Sequence, residues 1–321
     1  MQVFVAGASG AIGRPLIAQL IHQGHIVTGM TSSDAGVQLL EKLGATAVQV
    51  DAFDRDAVAL TLRRLEPEVV IDELTSLPKD PAALPAASPA DRKLRIEGGG
   101  NLYRAAQACG VRRYVQQGSG FFLKAGAGLA DESEPLATDA SPGIAALEQM
   151  YSEIEARVLC SQKMEGTVLR YGFFYGPGTW YHPDGGRAGQ VRSQELPIVG
   201  HGQAIWSFVH IEDAALATVA SLTAEPEVYN IVDDDPSPVV QWLPAFARWV
   251  DAPPPPRITE EEARPPWLAK TAYITARSFG APQTQRHEST SASDRVDCNG
   301  CNMEYRVRGE SASARFLPVN A

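Results

Sequence analysis

The sequence predicts a doubly wound, parallel α/β sheet followed by a smaller C-terminal lobe. Short β-rich runs alternate with amphipathic helical runs through the first 170 residues. A glycine-rich turn, Gly7-Ala8-Ser9-Gly10-Ala11-Ile12-Gly13, falls between the first strand and the first helix. After Arg170 the pattern gives way to loops rich in glycine, proline and aromatic residues. Parallel strands need long crossovers, which the intervening helices supply, and the right-handed crossover rule leaves few other topologies. The expected division is 1–170 for the sheet domain, 171–282 for a lobe interleaved with the last sheet strands, and 283–321 for a tail.

The elements run in order along the chain. Residues 3–6 form an apolar strand, and a helix runs over 14–23. Pro15 sits where a first-turn N–H is not needed, and Gly24 allows the left-handed stop. Residues 26–30 are the second strand, 35–43 a helix closed by Gly44, and 47–50 the third strand. Asp54 caps a helix reaching Leu65, before the fourth strand at 69–71. A Pro/Ala-rich loop over 77–89 precedes a long helix ending at Cys109-Gly110. Strand five covers 114–117, a helix runs over 144–164, and strand six covers 167–170. Beyond it, two regular islands are expected, a helix near 211–222 and a strand at 228–232, with Pro253 to Pro256 as a stiff connector.

With 28 Lys+Arg against 38 Asp+Glu, the net charge is −10. That balance argues against nucleic acid and anionic membrane as partners, since both need a basic face. No run of about 18 uncharged apolar residues occurs, and the apolar opening has no basic leader. Four cysteines without a dense pattern suit a reduced, cytoplasmic chain whose partner is a small molecule; a homodimer is left open. Cys109 and Cys160 read as buried small hydrophobes. Cys298 and Cys301 have no second pair nearby, so no metal site is expected.

The glycine turn carries the strongest functional signal. One glycine permits the tight turn, one lets backbone approach a pyrophosphate, and one lets helix pack on strand. The helix start then offers N–H groups and positive dipole to the phosphates. The Gly-x-x-Gly-x-x-Gly spacing resembles the extended, atypical short-chain dehydrogenase/reductase superfamily, in its NAD-dependent epimerase/dehydratase branch. Further segments resemble that branch in order: Asp51; Glu97-Gly98 with Asn101-Leu102; Leu169-Arg170-Tyr171-Gly172 with Tyr175-Gly176-Pro177-Gly178; Ser207-Phe208-Val209-His210 with Asp213; and Tyr229-Asn230-Ile231-Val232.

The resemblance implies a Rossmann-type NAD(P)-binding domain and a substrate-binding lobe. Gly7, Ser9, Gly10, Ala11, Ile12, Gly13 and Arg14 would hold the cofactor's phosphates, Asp51 and Ala52 would lie near the adenine, and Leu74 and Thr75 would lie beside the cofactor. After strand two, Met30-Thr31-Ser32-Ser33 offers no acid before Asp34. Ser32 and Ser33 can accept a 2′-phosphate, with Arg14 to help neutralise it, so NADP is favoured over NAD.

The superfamily's usual catalytic pair, Tyr and a Lys four residues on, is missing. Leu147 stands at the Tyr position and Tyr151 at the Lys position. Tyr151 is the best displaced acid, one turn along the same helix. Either Gly118 or Ser119 fills the usual serine position, and Arg95 replaces the Asn of the preceding helix. Two classes of function remain: an oxidoreductase or epimerase-like enzyme for a small carbonyl or sugar-like substrate, or a catalytically silent NAD(P)H sensor. Trp180 and Tyr181 are candidates for stacking on a substrate ring.

Related chains continue past a Thr-x-Ala-Arg stretch with Gly-Ala-Ser-Asn-Ala-Lys-Ala. Here Phe279-Gly280-Ala281-Pro282-Gln283-Thr284-Gln285-Arg286-His287-Glu288 stands instead. Joining each third codon base to the next two permits Arg-Gly-Ala-Ser-Asn-Ala-Lys-Ala-Arg. A frameshift near residues 277–279 is therefore expected, with a disordered tail, because a run without apolar periodicity cannot offset its ordering entropy by burial.

Overall fold

The structure, a computed structural model, describes residues 1–123, 129–136 and 142–263, with the backbone of short strands at 281–282, 295–298 and 301–304. Seven strands form the central sheet: β1 (Gln2–Ala6), β2 (Ile26–Thr31), β3 (Thr46–Gln49), β4 (Val69–Asp72), β5 (Arg113–Ser119), β6 (Glu165–Tyr171) and β7 (Val228–Ile231). Their order is β7-β6-β5-β4-β1-β2-β3, and every pairing is parallel. The order reverses between β1 and β4, which opens a crevice at the carboxyl ends of those two strands.

Helices cover both faces: α1 (Gly13–His22), α2 (Asp34–Lys42), α3 (Arg55–Leu65), α4 (Leu84–Lys93), α5 (Gly99–Ala108) and α6 (Pro142–Leu159). In the lobe and its return to the sheet lie α7 (Gly186–Arg192), α8 (Ile211–Ala220) and α9 (Val239–Trp249). Strand alternation builds the two cores. Val3 and Val5 join Leu16, Ile17 and Leu20 of α1 and Ala214 and Ala215 of α8. Phe4 and Ala6 face the other way, onto Leu62 of α3, Leu102 of α5 and Tyr114. A third core, with Tyr181, Trp206, Leu243 and Phe246, belongs to the lobe.

Several sequence expectations need correction. The 77–89 stretch is not a loop throughout. Asp80 caps a 3-10 turn at Pro81–Ala83, and α4 begins at Leu84 with Pro89 inside it. Pro85 sits in the first turn, where proline costs nothing, and the Pro89 ring points to solvent. A π-type turn, Leu94–Gly98, joins α4 to α5 with helical dihedrals throughout, so the expected long helix runs on to Ala108 with a bulge in it. Helix α6 stops at Leu159 rather than near 164, because the Ser161 hydroxyl accepts from the N–H groups of Lys163 and Met164. Sequence reasoning missed α7, which contains two glycines, and α9, whose apolar stripe is interrupted by Pro244. Cys109 and Cys160 are half-buried, not buried. The expectation for 283–321 falls largely outside the described residues. Within it, Arg295–Cys298 pairs antiparallel with Cys301–Glu304.

One ion pair ties the site's helix to the sheet. Arg170 on β6 donates to both Glu155 oxygens, at 3.0 and 2.8 Å, with both groups buried. Removing one partner strands a buried charge, so Glu155→Ala is expected to cost about 3–5 kcal/mol. Urea unfolding measures this, and a loss below about 1 kcal/mol would contradict the assignment.

Candidate functional site

The glycine turn leaves β1 with Gly7 at φ +75°, a conformation suited to glycine. A Cβ at Gly7 would strike the Glu73 carbonyl, and one at Gly13 would strike the Ala8 carbonyl. The turn closes through the Gly10 N–H donating to the Gly7 carbonyl at 2.9 Å. Helix α1 then starts with an open end. Ile12 is its N-cap residue and gives no side-chain cap, and no acid occupies its first turn. In contrast, α2 and α3 are capped by Ser33 and Asp54. A glycine cradle beside an uncapped helix start fits a pyrophosphate.

The remaining sequence candidates line the same edge. The Ser9 hydroxyl lies 3.1 Å from that of Thr31, at the end of β2. Arg14 Nε donates to the Gly10 carbonyl at 3.2 Å. A Cβ on Gly178 would run into the Arg14 guanidinium, so the arginine joins the turn to the lobe. Ser32 and Ser33 are both exposed, and the Ser33 hydroxyl also accepts from the Gly36 N–H at 3.1 Å as the cap of α2, which leaves its own proton free to donate. Asp51 accepts from the Phe53 N–H, and Asn101 donates to the carbonyls of Ala52 and Phe53. Leu74 is buried and Thr75 half-buried beyond β4.

Tyr151 and Ser119 come together. Tyr151 is 7% exposed on α6, and its phenol is hydrogen-bonded with the Ser119 side chain at the end of β5. Its ring stacks on Phe122 at 5.1 Å, and the Arg95 guanidinium lies 5.4 Å from its centroid. Arg95 is itself held by Asp91 at 2.8 Å and by Gln117 at 3.1 Å. Burial pushes the Tyr151 phenol above its ordinary value, and the Arg95 charge only partly opposes this. The phenol therefore stays protonated and can donate. Trp180 donates its indole N–H to the Pro78 carbonyl, whereas Tyr181 is buried in the lobe's aromatic core, against Phe173, Phe208, Trp242 and Phe246. The Tyr181 ring is thus occupied by packing and is not a free stacking face.

Sequence reasoning missed the acids at the end of β4. Their signal was present, since Asp72-Glu73 closes an otherwise apolar run. Asp72 accepts from Tyr114 at 2.8 Å and from the Leu74 N–H at 3.1 Å. Glu73 points to the opposite face, accepts from Tyr171 at 3.2 Å, and leaves Oε2 without a partner. Burial is the main cause that pushes Glu73 up to about 8.

The sequence model of the NAD dependent epimerase/dehydratase family matches residues 3–232. A Streptomyces sp protein described as 3-diazoavenalumate denitrifying reductase is 40% identical over 258 residues, 79% of this chain and 83% of that one. UDP-glucose 4-epimerase of Thermus thermophilus, solved with NAD, has a TM-score of 0.65 at 20% identity, covering 89% and 90% of the two chains. The Thermotoga maritima UDP-glucose 4-epimerase, solved with UDP-glucose, has a TM-score of 0.64 at 22% identity, covering 81% and 86%. At these identities the structural likeness is one of fold. No helix among the described residues is long and apolar enough to cross a membrane.

The Glu73 carboxyl gives a pH signature. Its folded value of about 8 lies above its ordinary 4.5. The stability it contributes is complete below pH 4.5 and is lost as pH rises through 8, on the order of 1 kcal/mol per pH unit. Glu73→Gln is expected to flatten denaturation midpoints between pH 5 and 8 and to raise them above pH 8. Identical slopes for the two proteins would contradict this.

Proposed function

Because this chain belongs to the NAD-dependent epimerase/dehydratase family, we propose that it is an NAD(P)H-dependent reductase of a small aromatic or carbonyl substrate. The observation that carries the reading is the meeting of Tyr151, Ser119 and Arg95 where the superfamily's Tyr and Lys would act. Bound nicotinamide supplies the hydride. Tyr151 supplies the proton, and Ser119 fixes the orientation of its hydroxyl.

Reduction is favoured over epimerisation by the same geometry. Epimerisation begins by taking a proton from a substrate alcohol, which a buried, protonated phenol does poorly. Among the described residues, the charged groups acting on Tyr151 are Arg95, Asp91 and Glu155, and none is a lysine. The relative described as a reductase of a diazo acid supports an electron-poor aromatic as one substrate type. That relative also leaves the sensor alternative without support.

For the cofactor we favour NADP(H). Exposed Ser32 follows β2, no acid precedes Asp34, and Arg14 lies beside the turn. Calorimetry is expected to show tighter binding of NADPH than NADH, and a clear NADH preference would overturn the assignment. Gly10→Glu puts a carboxylate at the phosphate cradle and is expected to abolish binding of both. Tyr151→Phe tests the proton donor. It is expected to lower kcat by about 10²–10⁴-fold with NADPH affinity unchanged. Full activity in that variant would remove Tyr151 from the chemistry.

A further inference from the structure

Four arginines of the described chain are buried, and three of them pair with a carboxylate. Arg95 pairs with Asp91, Arg113 with Glu165, and Arg170 with Glu155. Arg187, the second residue of α7, is 5% exposed and has no carboxylate partner among the described residues. It donates from Nη1 to Gln190 at 2.7 Å and lies 5.9 Å from the Trp180 ring, while its Nε has no hydrogen-bond partner. A buried cation with no carboxylate beside it among the described residues is a candidate anchor for an anion that arrives from outside.

Its neighbours carry the same imbalance. The Tyr181 hydroxyl oxygen faces the Arg187 guanidinium, which leaves the hydroxyl's own proton to donate. The indole N–H of Trp242 also lacks one, and the Trp242 ring meets Tyr181 edge-on at 5.9 Å. Arg187 Nε and Trp242 Nε1 are donors without an acceptor among the described residues, and the Tyr181 hydroxyl has a proton to give.

The position suits a substrate. Trp180 donates to the Pro78 carbonyl at 2.9 Å, and a Cβ on Gly186 would strike Pro81. The start of α7 therefore abuts the segment leaving the carboxyl end of β4. A row of rings connects it with the candidate acid: Tyr181 to Phe173 at 5.7 Å, Phe173 to Phe121 at 3.8 Å, Phe121 to Phe122 at 6.4 Å, and Phe122 to Tyr151 at 5.1 Å.

We propose that Arg187, assisted by Tyr181 and Trp242, binds the carboxylate of an aromatic acid whose other end reaches toward Tyr151. The proposal rests on the reductase reading for the identity of the acid as substrate, and on the unpaired arginine for the anion itself. A single cation with aromatic walls fits a carboxylate better than the diphosphate of a nucleotide sugar.

Calorimetry on the full chain with saturating NADP⁺ tests it, using cinnamate, cinnamamide and UDP-glucose as probes. Wild type is expected to bind cinnamate at least about 10-fold more tightly than cinnamamide, the size of one charge-assisted hydrogen bond. Arg187→Gln is expected to erase that preference with NADP⁺ affinity intact, and Arg187→Lys to keep part of it. The acid-to-amide ratio is insensitive to overall stability, and Arg187→Lys serves if the glutamine variant fails to fold. Equal binding of acid and amide, binding of neither, or a preference that survives in Arg187→Gln would overturn the proposal. So would UDP-glucose binding that exceeds cinnamate and depends on Arg187. Failure of wild type to bind NADP⁺ would count against the reductase reading instead.

Discussion

The site depends on one close approach of backbone to backbone, where β1 and β4 end side by side at the reversal of strand order. Gly7 lies so near the Glu73 carbonyl that any side chain there would collide, and Gly13 lies equally near the Ala8 carbonyl. Those two approaches swing α1 up against the sheet with its first N–H groups uncapped. The helix dipole and the open donors then face the crevice. Ser32, Asp51, Ala52, Leu74 and Thr75 line the same edge because they follow neighbouring parallel strands.

The lobe is fastened to that edge at two points. Arg14 lies between the Gly10 carbonyl and Gly178, and Trp180 reaches back to Pro78. The lobe's aromatic core, built on α9, leaves Arg187 at its margin with Nε lacking an acceptor among the described residues. At the other end of the ring row, Tyr151 is sealed by Phe122 and balanced by the Arg95/Asp91 pair. The two ends differ in character: one holds a proton and the other holds positive charge.

The sheet was legible from sequence because each buried parallel strand is a short apolar run closed by turn residues. The glycine turn was legible because its spacing and its strand–turn–helix setting coincide. Tyr151 emerged only as a displaced residue, identified by one helical turn from a missing partner. The rest was hidden for physical reasons. Leu84–Lys93 carries Pro85 and Pro89, which read as a loop until the first-turn position of Pro85 and the exposure of Pro89 are known. Arg187 stands among glycines in a short helix, and nothing in one dimension separates it from a solvated arginine. What sets it apart is that no carboxylate among the described residues pairs with it.

The role proposed for the uncapped start of α1 is to receive the dinucleotide's pyrophosphate. Amide hydrogen exchange across residues 7–16, with and without NADPH, measures this at the atoms concerned. Strong protection of the open amides at 11–13, with little change at the capped starts of α2 and α3, is the expected result. Tight NADPH binding with unchanged exchange at 11–13 would contradict it.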